Sequence, residues 1–195
     1  MPEAAQDQLD HWEPCYLGLV GSRPVTPEQA RTLDDGRTVQ AAFELDGLLD
    51  QNRLRAACQR LLDRNEVLRS CFPDPDMRLV VAGVAVPWRT TYLTTSDERV
   101  RRAELDKVLA GERARGFDTA RPPLLRAHLL RFRPRRHTLV LSAHRAVADG
   151  ESVPTLFAEV FQLYGGEAEV RAVEVHELTT SAPGRCTPRP TAAPG

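Results

Sequence analysis

The sequence predicts an α+β fold with one mostly antiparallel sheet and helices packed on one of its faces. Segments of strand period and helix period alternate along the whole chain, and the last two strands are joined by a turn too short for anything but antiparallel pairing. The length of 195 residues, about 170 of them in patterned sequence, suits one domain with a sizeable core. Residues 1–11 are polar and unpatterned, residues 12–170 form the lobe, and residues 171–195 are rich in Pro, Ala and Thr and are expected to be a disordered tail.

In chain order, Cys15–Val20 reads as a short strand or as an apolar extension that packs on the domain. Thr26-Pro27-Glu28-Gln29 then opens a helix, with Thr at the cap, Pro at the first helical position and Gln closing a capping box. Val39, Ala41, Phe43 and Leu45 alternate with polar or small neighbours as in a half-buried strand, which ends at Asp46-Gly47. From Asp50 the period changes. Leu54, Ala57, Cys58, Leu61 and Leu62 make the apolar stripe of an amphipathic helix and place Cys58 in the core.

Pro73-Asp74-Pro75-Asp76 is a turn, Leu79–Val81 and Trp88–Leu93 are two strands, and Ser96-Asp97-Glu98 starts a helix running to about Arg113. A strand through Phe132 follows, then the basic turn Arg133-Pro134-Arg135-Arg136 and the apolar strand Thr138–Ala143. His128 and His137 fall within these strands as packed or surface residues rather than ligands. The strand ends in His144-Arg145, the chain turns through Asp149-Gly150, and Ser152 is placed to cap a helix carrying Leu156, Phe157, Val160, Phe161 and Tyr164. Charged groups at the carboxyl end of a strand, in a polar loop before a helix, mark this as the candidate site.

The balance of 26 basic and 27 acidic residues gives a net charge of −1, which offers no bulk attraction for nucleic acid or an anionic membrane. Cys15, Cys58, Cys71 and Cys186 have neither zinc-ligand nor disulfide-framework spacing, so reduced thiols and no metal site are expected. Residues 1–12 have no basic start or apolar stretch, and no run approaches the ~20 apolar residues of a membrane span, so a cytoplasmic protein is expected.

The stretch His144-Arg145-Ala146-Val147-Ala148-Asp149-Gly150 resembles the His-His-x-x-x-Asp-Gly signature of the condensation domains of nonribosomal peptide synthetases, in the chloramphenicol acetyltransferase-like acyltransferase superfamily. Further resemblances lie in Thr26–Arg31, in Phe43–Asp50, in Leu61–Phe72 with Asn65 at a family histidine, and in Gly116–Arg126. Together they cover residues 26–166, nearly all of the amino-terminal lobe. The resemblance implies a two-layer sandwich fold and a site built from His144, Arg145, Asp149 and Gly150. It also implies a structural ion pair between Asp149 and Arg69 or Arg64, and a substrate that is a phosphopantetheine-linked or CoA thioester, with no resident cofactor.

The family's acid/base or positioning histidine is the second of the signature, and here that position is Arg145. A guanidinium carries five donors and no acceptor and stays charged up to pH ~12, so it cannot take a proton from an attacking amine or thiol near neutrality. Three readings remain open. The chain is a noncatalytic lobe that binds a carrier protein or another synthetase module, an acyltransferase that works as a homo-oligomer, or a remnant of a longer synthetase whose second lobe is absent. The first two carry the expectation that a homo-oligomer or an obligate partner covers the surface where the second lobe would pack.

Overall fold

The computed structural model describes residues 18–133, 135–149, 151–165 and 169–178. Its elements run β1 (Gly18–Pro24), α1 (Pro27–Asp35), β2 (Thr38–Asp46), α2 (Gln51–Arg64), β3 (Ser70–Asp74), β4 (Met77–Ala82), β5 (Trp88–Tyr92), α3 (Glu98–Arg115), β6 (Leu125–Arg133), β7 (Arg136–His144), α4 (Ser152–Tyr164) and β8 (Glu169–Leu178), with a 3-10 turn at Val67–Arg69. Five strands form the main sheet in the order β5-β6-β7-β2-β8, and β1-β4-β3 form a second, three-stranded sheet. Among the described strands only the β5–β6 pair is parallel; every other pairing is antiparallel, including the β6–β7 hairpin that closes with Arg133 opposite Arg136.

The local rules that predict the helices are visible in their ends. Thr26 accepts the Gln29 backbone N–H and the Gln29 side chain accepts the Thr26 N–H, both at 3.2 Å, so the capping box forms as written. Asp50 likewise accepts the N–H groups of Asn52 and Arg53 and opens α2. The α2 stripe, Leu54, Ala57, Cys58, Leu61 and Leu62, is buried in one cluster with Val39, Ala41, Phe43 and Leu45 of β2 and Val153, Phe157 and Val160 of α4.

The helices do not all lie on one face. Ala42, Leu130, Phe132 and Val140, which point to the other side of the same strands, are covered by Leu105 and Leu109 of α3. The reason is in β7, whose consecutive Leu139, Val140 and Leu141 are all fully buried. A strand with consecutive buried apolar residues needs cover on both faces, whereas the alternation of apolar residues in β2 shows only the face covered by α2 and α4. One helix therefore serves the second face, and the sheet is sandwiched.

Residues 171–178, expected as part of a tail, are instead strand. They complete β8, which pairs with β2 along its length and carries a bulge at Val173 where Ala42 faces Glu174 and Phe43 faces Ala172. Alternating Val and charged residues drive this strand, and the Pro-rich composition starts after it. The expected disordered segments 1–11 and 179–195 lie outside the described residues, as does Pro134 of the basic turn.

Candidate functional site

Strand β7 delivers His144 to one end of the sheet, and two backbone bonds fix where it stops. The His144 N–H donates to the Leu124 carbonyl at 2.9 Å, and the Arg145 N–H donates to the Arg37 carbonyl at 3.0 Å. The chain then turns, with the N–H groups of Val147 and Ala148 donating to the His144 carbonyl at 3.0 and 3.2 Å. Inside that turn the His144 imidazole Nδ1 accepts the Ala146 N–H at 3.1 Å.

The His144 side chain is buried, and Phe117 meets its ring edge-on with 6.3 Å between centroids. Burial without a neighbouring carboxylate lowers its pKa from 6.5 to about 4. The ring is therefore neutral near pH 7. Since Nδ1 accepts, the ring proton sits on Nε2.

Asp149 and Ser152 hold the other end of the loop. The Asp149 N–H donates to the Ser152 hydroxyl at 2.8 Å, the Ser152 N–H donates to Asp149 Oδ1 at 2.7 Å, and the Val153 N–H donates to the Asp149 carbonyl at 3.1 Å. The capping side chain of α4 is thus Asp149, with Ser152 reciprocating, although the sequence points to Ser152 as the cap. An aspartate three residues before a serine satisfies both ends of such a box, and a carboxylate is favoured at the positive end of a helix. Ser152, through its hydroxyl and then its backbone N–H, holds the Asp149 carboxyl below its usual value. Gly150 lies outside the described residues.

Arg145 stands half-exposed between these anchors. It lines a cleft of about 220 Å³ with Ala146–Asp149 and Ser152 on one side and Thr26, Glu28, Gln29 and Thr32 of the α1 region on the other. Gln29 Nε2 bridges the two sides by donating to the Ala146 carbonyl at 3.3 Å. The structure thus brings together two segments singled out separately in the sequence, the capping-box helix and the His144–Ser152 loop.

It does not bring together the expected ion pair. The Arg69 guanidinium donates to the Val81 carbonyl at 2.7 Å, and Arg64 lies on the outside of α2, 4.0 Å from Glu159. Arg69 sits in the 3-10 turn that leads into β3, so its side chain satisfies a carbonyl of the neighbouring β4. With its oxygens engaged by the start of α4, Asp149 is stabilised as a carboxylate without a cation.

The sequence reading missed a buried polar seam on the α3 face. Gln40 Nε2 donates to Ser142 Oγ at 3.1 Å and to the Leu109 carbonyl at 3.2 Å, and Arg113 donates to Gln40 Oε1 at 3.2 Å. Beside it the Arg126 guanidinium donates to Glu112 Oε2 at 2.7 Å and stacks over Phe117 at 3.8 Å. The one local signal of this seam is Gln40, an uncharged amide among the buried Thr38–Phe43 residues of β2; nothing local marks residues 112 and 126 as partners. Among the described residues no group of three or more potential metal ligands converges, and no helix is long and apolar enough to cross a membrane.

Comparison with known proteins bears directly on this geometry. A family model described as "Condensation domain" matches residues 27–178. Tyrocidine synthase 3 of Brevibacillus parabrevis is 37% identical over 125 residues, which cover 63% of this chain and 2% of the synthase. Gramicidin S synthase 2 of Aneurinibacillus migulanus is 32% identical over 125 residues, 64% of this chain and 3% of the synthase. Among solved structures, the tallysomycin biosynthesis protein TlmII superposes with a TM-score of 0.63 at 28% identity, covering 75% of this chain and 39% of that one. The starter condensation domain of the rhizomide synthetase, 16% identical, shares the fold with a TM-score of 0.65 over 74% of this chain and 37% of its own. The chain spans only a few per cent of the synthases' length and little more than a third of these solved chains. With the α+β, chloramphenicol acetyltransferase-like architecture, the His144–Asp149 loop at the end of β7 and a family match over most of its length, this chain belongs to the condensation-domain family of nonribosomal peptide synthetases.

Proposed function

We propose that this chain serves nonribosomal peptide or related acyl-thioester biosynthesis as a noncatalytic condensation-type lobe. On this reading it binds a carrier protein or a neighbouring synthetase module and does not itself form the amide or ester bond. One observation carries the reading. The position of the family's proton-accepting histidine is Arg145, and the imidazole beside it, His144, is buried with Nδ1 committed to the Ala146 N–H.

General base catalysis needs a group that is unprotonated at working pH and can reach the attacking nucleophile. Arg145 reaches the cleft but has no lone pair to offer. His144 has an unprotonated nitrogen, but that nitrogen is inside its own turn, and its Nε2 carries the proton. Neither residue of the pair combines both properties. Arg145 is suited instead to stiffening the loop or to meeting a carboxylate or phosphate on a partner.

The test is a thioester assay joined to a binding assay. The purified chain is incubated with acyl-loaded and aminoacyl-loaded carrier proteins, and with acyl-CoA and an amine, and products are read by intact-protein mass spectrometry. The expected result is no product, with a carrier protein retained on the immobilised chain. Wild-type turnover that disappears in His144→Ala and persists in Arg145→Ala would place the catalyst at His144 and sink the reading.

A further inference from the structure

Strand β5 is one edge of the main sheet, since among the described strands it pairs with β6 alone. The pairing is parallel, and its end bonds fix which backbone groups it uses. The Ala127 N–H donates to the Pro87 carbonyl at 2.9 Å, and the Leu93 N–H donates to the Arg131 carbonyl at 2.8 Å. A parallel ladder engages alternate residues, so Arg89 and Thr91 commit their backbone groups to β6 while Trp88, Thr90 and Tyr92 turn theirs outward. Among the described residues no other backbone group bonds to these outward ones.

Side chains frame this edge as a shelf. Trp88, Thr90 and Tyr92 lie on the α2 side of the sheet, with Trp88 packed on the core and Tyr92 67% exposed. The Arg131 guanidinium stands over the Tyr92 ring at 5.6 Å, the Tyr92 hydroxyl donates to Gln51 Oε1 at 3.2 Å, and Arg131 Nη1 donates to the same oxygen at 3.4 Å. Leu48, 73% exposed, is three residues before Gln51. From Gln51, α2 runs back beside β5, because the Gln59 amide donates to the Val84 carbonyl and accepts the Val86 N–H, both at 2.8 Å. The exposed Arg55, one turn from both Gln51 and Gln59, therefore overlooks the edge from the α2 side. The exposed Arg89, opposite His128, flanks it from the α3 side.

Open donors and acceptors along an edge invite another strand, and the charges beside the edge decide which strand is accepted. Arg55 and Arg89 make no hydrogen bond or ion pair among the described residues. The carboxylates that begin the flanking helices are engaged, since Asp50 caps α2, Asp97 caps α3 and Glu98 holds Arg101. A second copy pairing through β5 about Thr90 would gather two arginines from each chain at the joint, which like-charge repulsion opposes. An acidic strand meets the same arginines favourably, and the exposed Tyr92 ring suits an apolar side chain between its charges. We propose that β5 takes an extended acidic segment of a partner protein, with an apolar residue over Tyr92, as a sixth strand of the main sheet. The strand addition involves neither Arg145 nor a thioester, so it stands apart from the proposed function.

Fluorescence anisotropy and amide hydrogen exchange on the full chain test it, at about 50 mM salt where exposed charges are weakly screened. The probes are labelled, end-blocked octapeptides of alternating Glu and Val and of alternating Lys and Val. The Glu peptide should bind at least ~10-fold more tightly than the Lys peptide, and it should slow exchange at the outward N–H groups of Thr90 and Tyr92. Thr90→Pro removes one outward donor and leaves the β6 ladder whole, so binding should fall at least ~5-fold. Thr90→Val keeps that N–H and loses only the Oγ1 contact with Trp88 at 2.9 Å, so it should bind within ~2-fold of wild type. Arg55→Ala combined with Arg89→Ala should weaken the Glu peptide ~3- to 5-fold, while Arg64→Ala, on the α4 flank of α2 beside Glu159, should leave it unchanged. The wild-type exchange pattern decides the site even if Thr90→Pro unfolds. Equal binding of the two peptides, protection on β8 or β1 in place of β5, or a folded Thr90→Pro that binds as wild type overturns the site. Self-association without peptide, seen by sedimentation and abolished by Thr90→Pro, overturns the acidic partner in favour of a second copy.

Discussion

The imidazole Nδ1 of His144 accepts the backbone N–H of Ala146 at 3.1 Å, so the two residues on either side of Arg145 are tied to each other. In this loop the signature histidine is a structural member of the turn, and its electrostatics follow. His144 and His128 are both buried, and both have pKa values lowered from 6.5 to about 4, chiefly by burial.

The pH dependence of stability has a definite sign. A histidine that stays neutral when folded but takes a proton when unfolded favours the unfolded chain below pH 6.5. The stability it contributes is complete above that pH and is lost as pH falls toward about 4, on the order of 3 kcal/mol for each fully shifted imidazole. Urea unfolding from pH 7.5 to 4.5 should therefore show a falling midpoint, at pH values where ordinary carboxylates are still mostly ionised. His144→Asn, whose amide oxygen can accept the Ala146 N–H in place of Nδ1, should flatten the dependence by about half. An unchanged slope in that variant would mean His144 titrates normally.

Asp149 should behave as a helix cap and not as half of an ion pair. Asp149→Ala and Ser152→Ala should each cost about 1 kcal/mol, with the loss localised to the start of α4. Arg69→Ala should also destabilise, through loss of its bond to the Val81 carbonyl. A double-mutant cycle between Arg69 and Asp149 should give a coupling within ~0.5 kcal/mol of zero, since the two share no contact. A coupling of several kcal/mol, as a buried pair gives, would restore the ion pair that the resemblance implies.

How much of this was legible depends on how local the cause was. The α1 capping box, the α2 stripe and the end of β7 at His144 are each set by residues a few positions apart, and each appears where the pattern places it. The cover of the second sheet face by α3 was hidden, because the pairing of Leu105 and Leu109 with Leu130 and Val140 is a property of topology. Asp149 and Ser152 were both recognised, but their roles exchange, since either can cap and only the backbone path decides which does. The ion pair failed for a different reason: a motif carries residue identities across a family, but the partner of Arg69 is settled by which carbonyl of β4 lies nearest.

Cys58 provides a check on the core that needs no change of sequence. It is buried between α2 and the sheet, and burial pushes its thiol pKa up to about 12. Thiolate is the reactive form, so native protein at pH 8 should leave Cys58 unmodified by iodoacetamide over hours, with modification appearing in urea. Rapid native labelling of Cys58, located by peptide mass spectrometry, would show that the α2–β2 packing opens.

Arg145→His is the decisive substitution, because it restores the family signature in a single step. The new imidazole would sit half-exposed in the cleft, and a positioned base of that kind contributes about 10²- to 10⁴-fold. Most of the acceleration in joining an acyl group to an amine comes instead from holding the two reactants together, worth roughly 7–11 kcal/mol. The cleft beside Arg145 measures about 220 Å³. That is smaller than the ~300–1,000 Å³ typical of a site for one drug-sized ligand, and condensation needs two substrates at once. Arg145→His should therefore show at most trace product by intact-protein mass spectrometry, while carrier-protein binding stays within about 3-fold of wild type, a change under 1 kcal/mol. Robust turnover in Arg145→His would show that the chain already holds both substrates and that the arginine alone silences it.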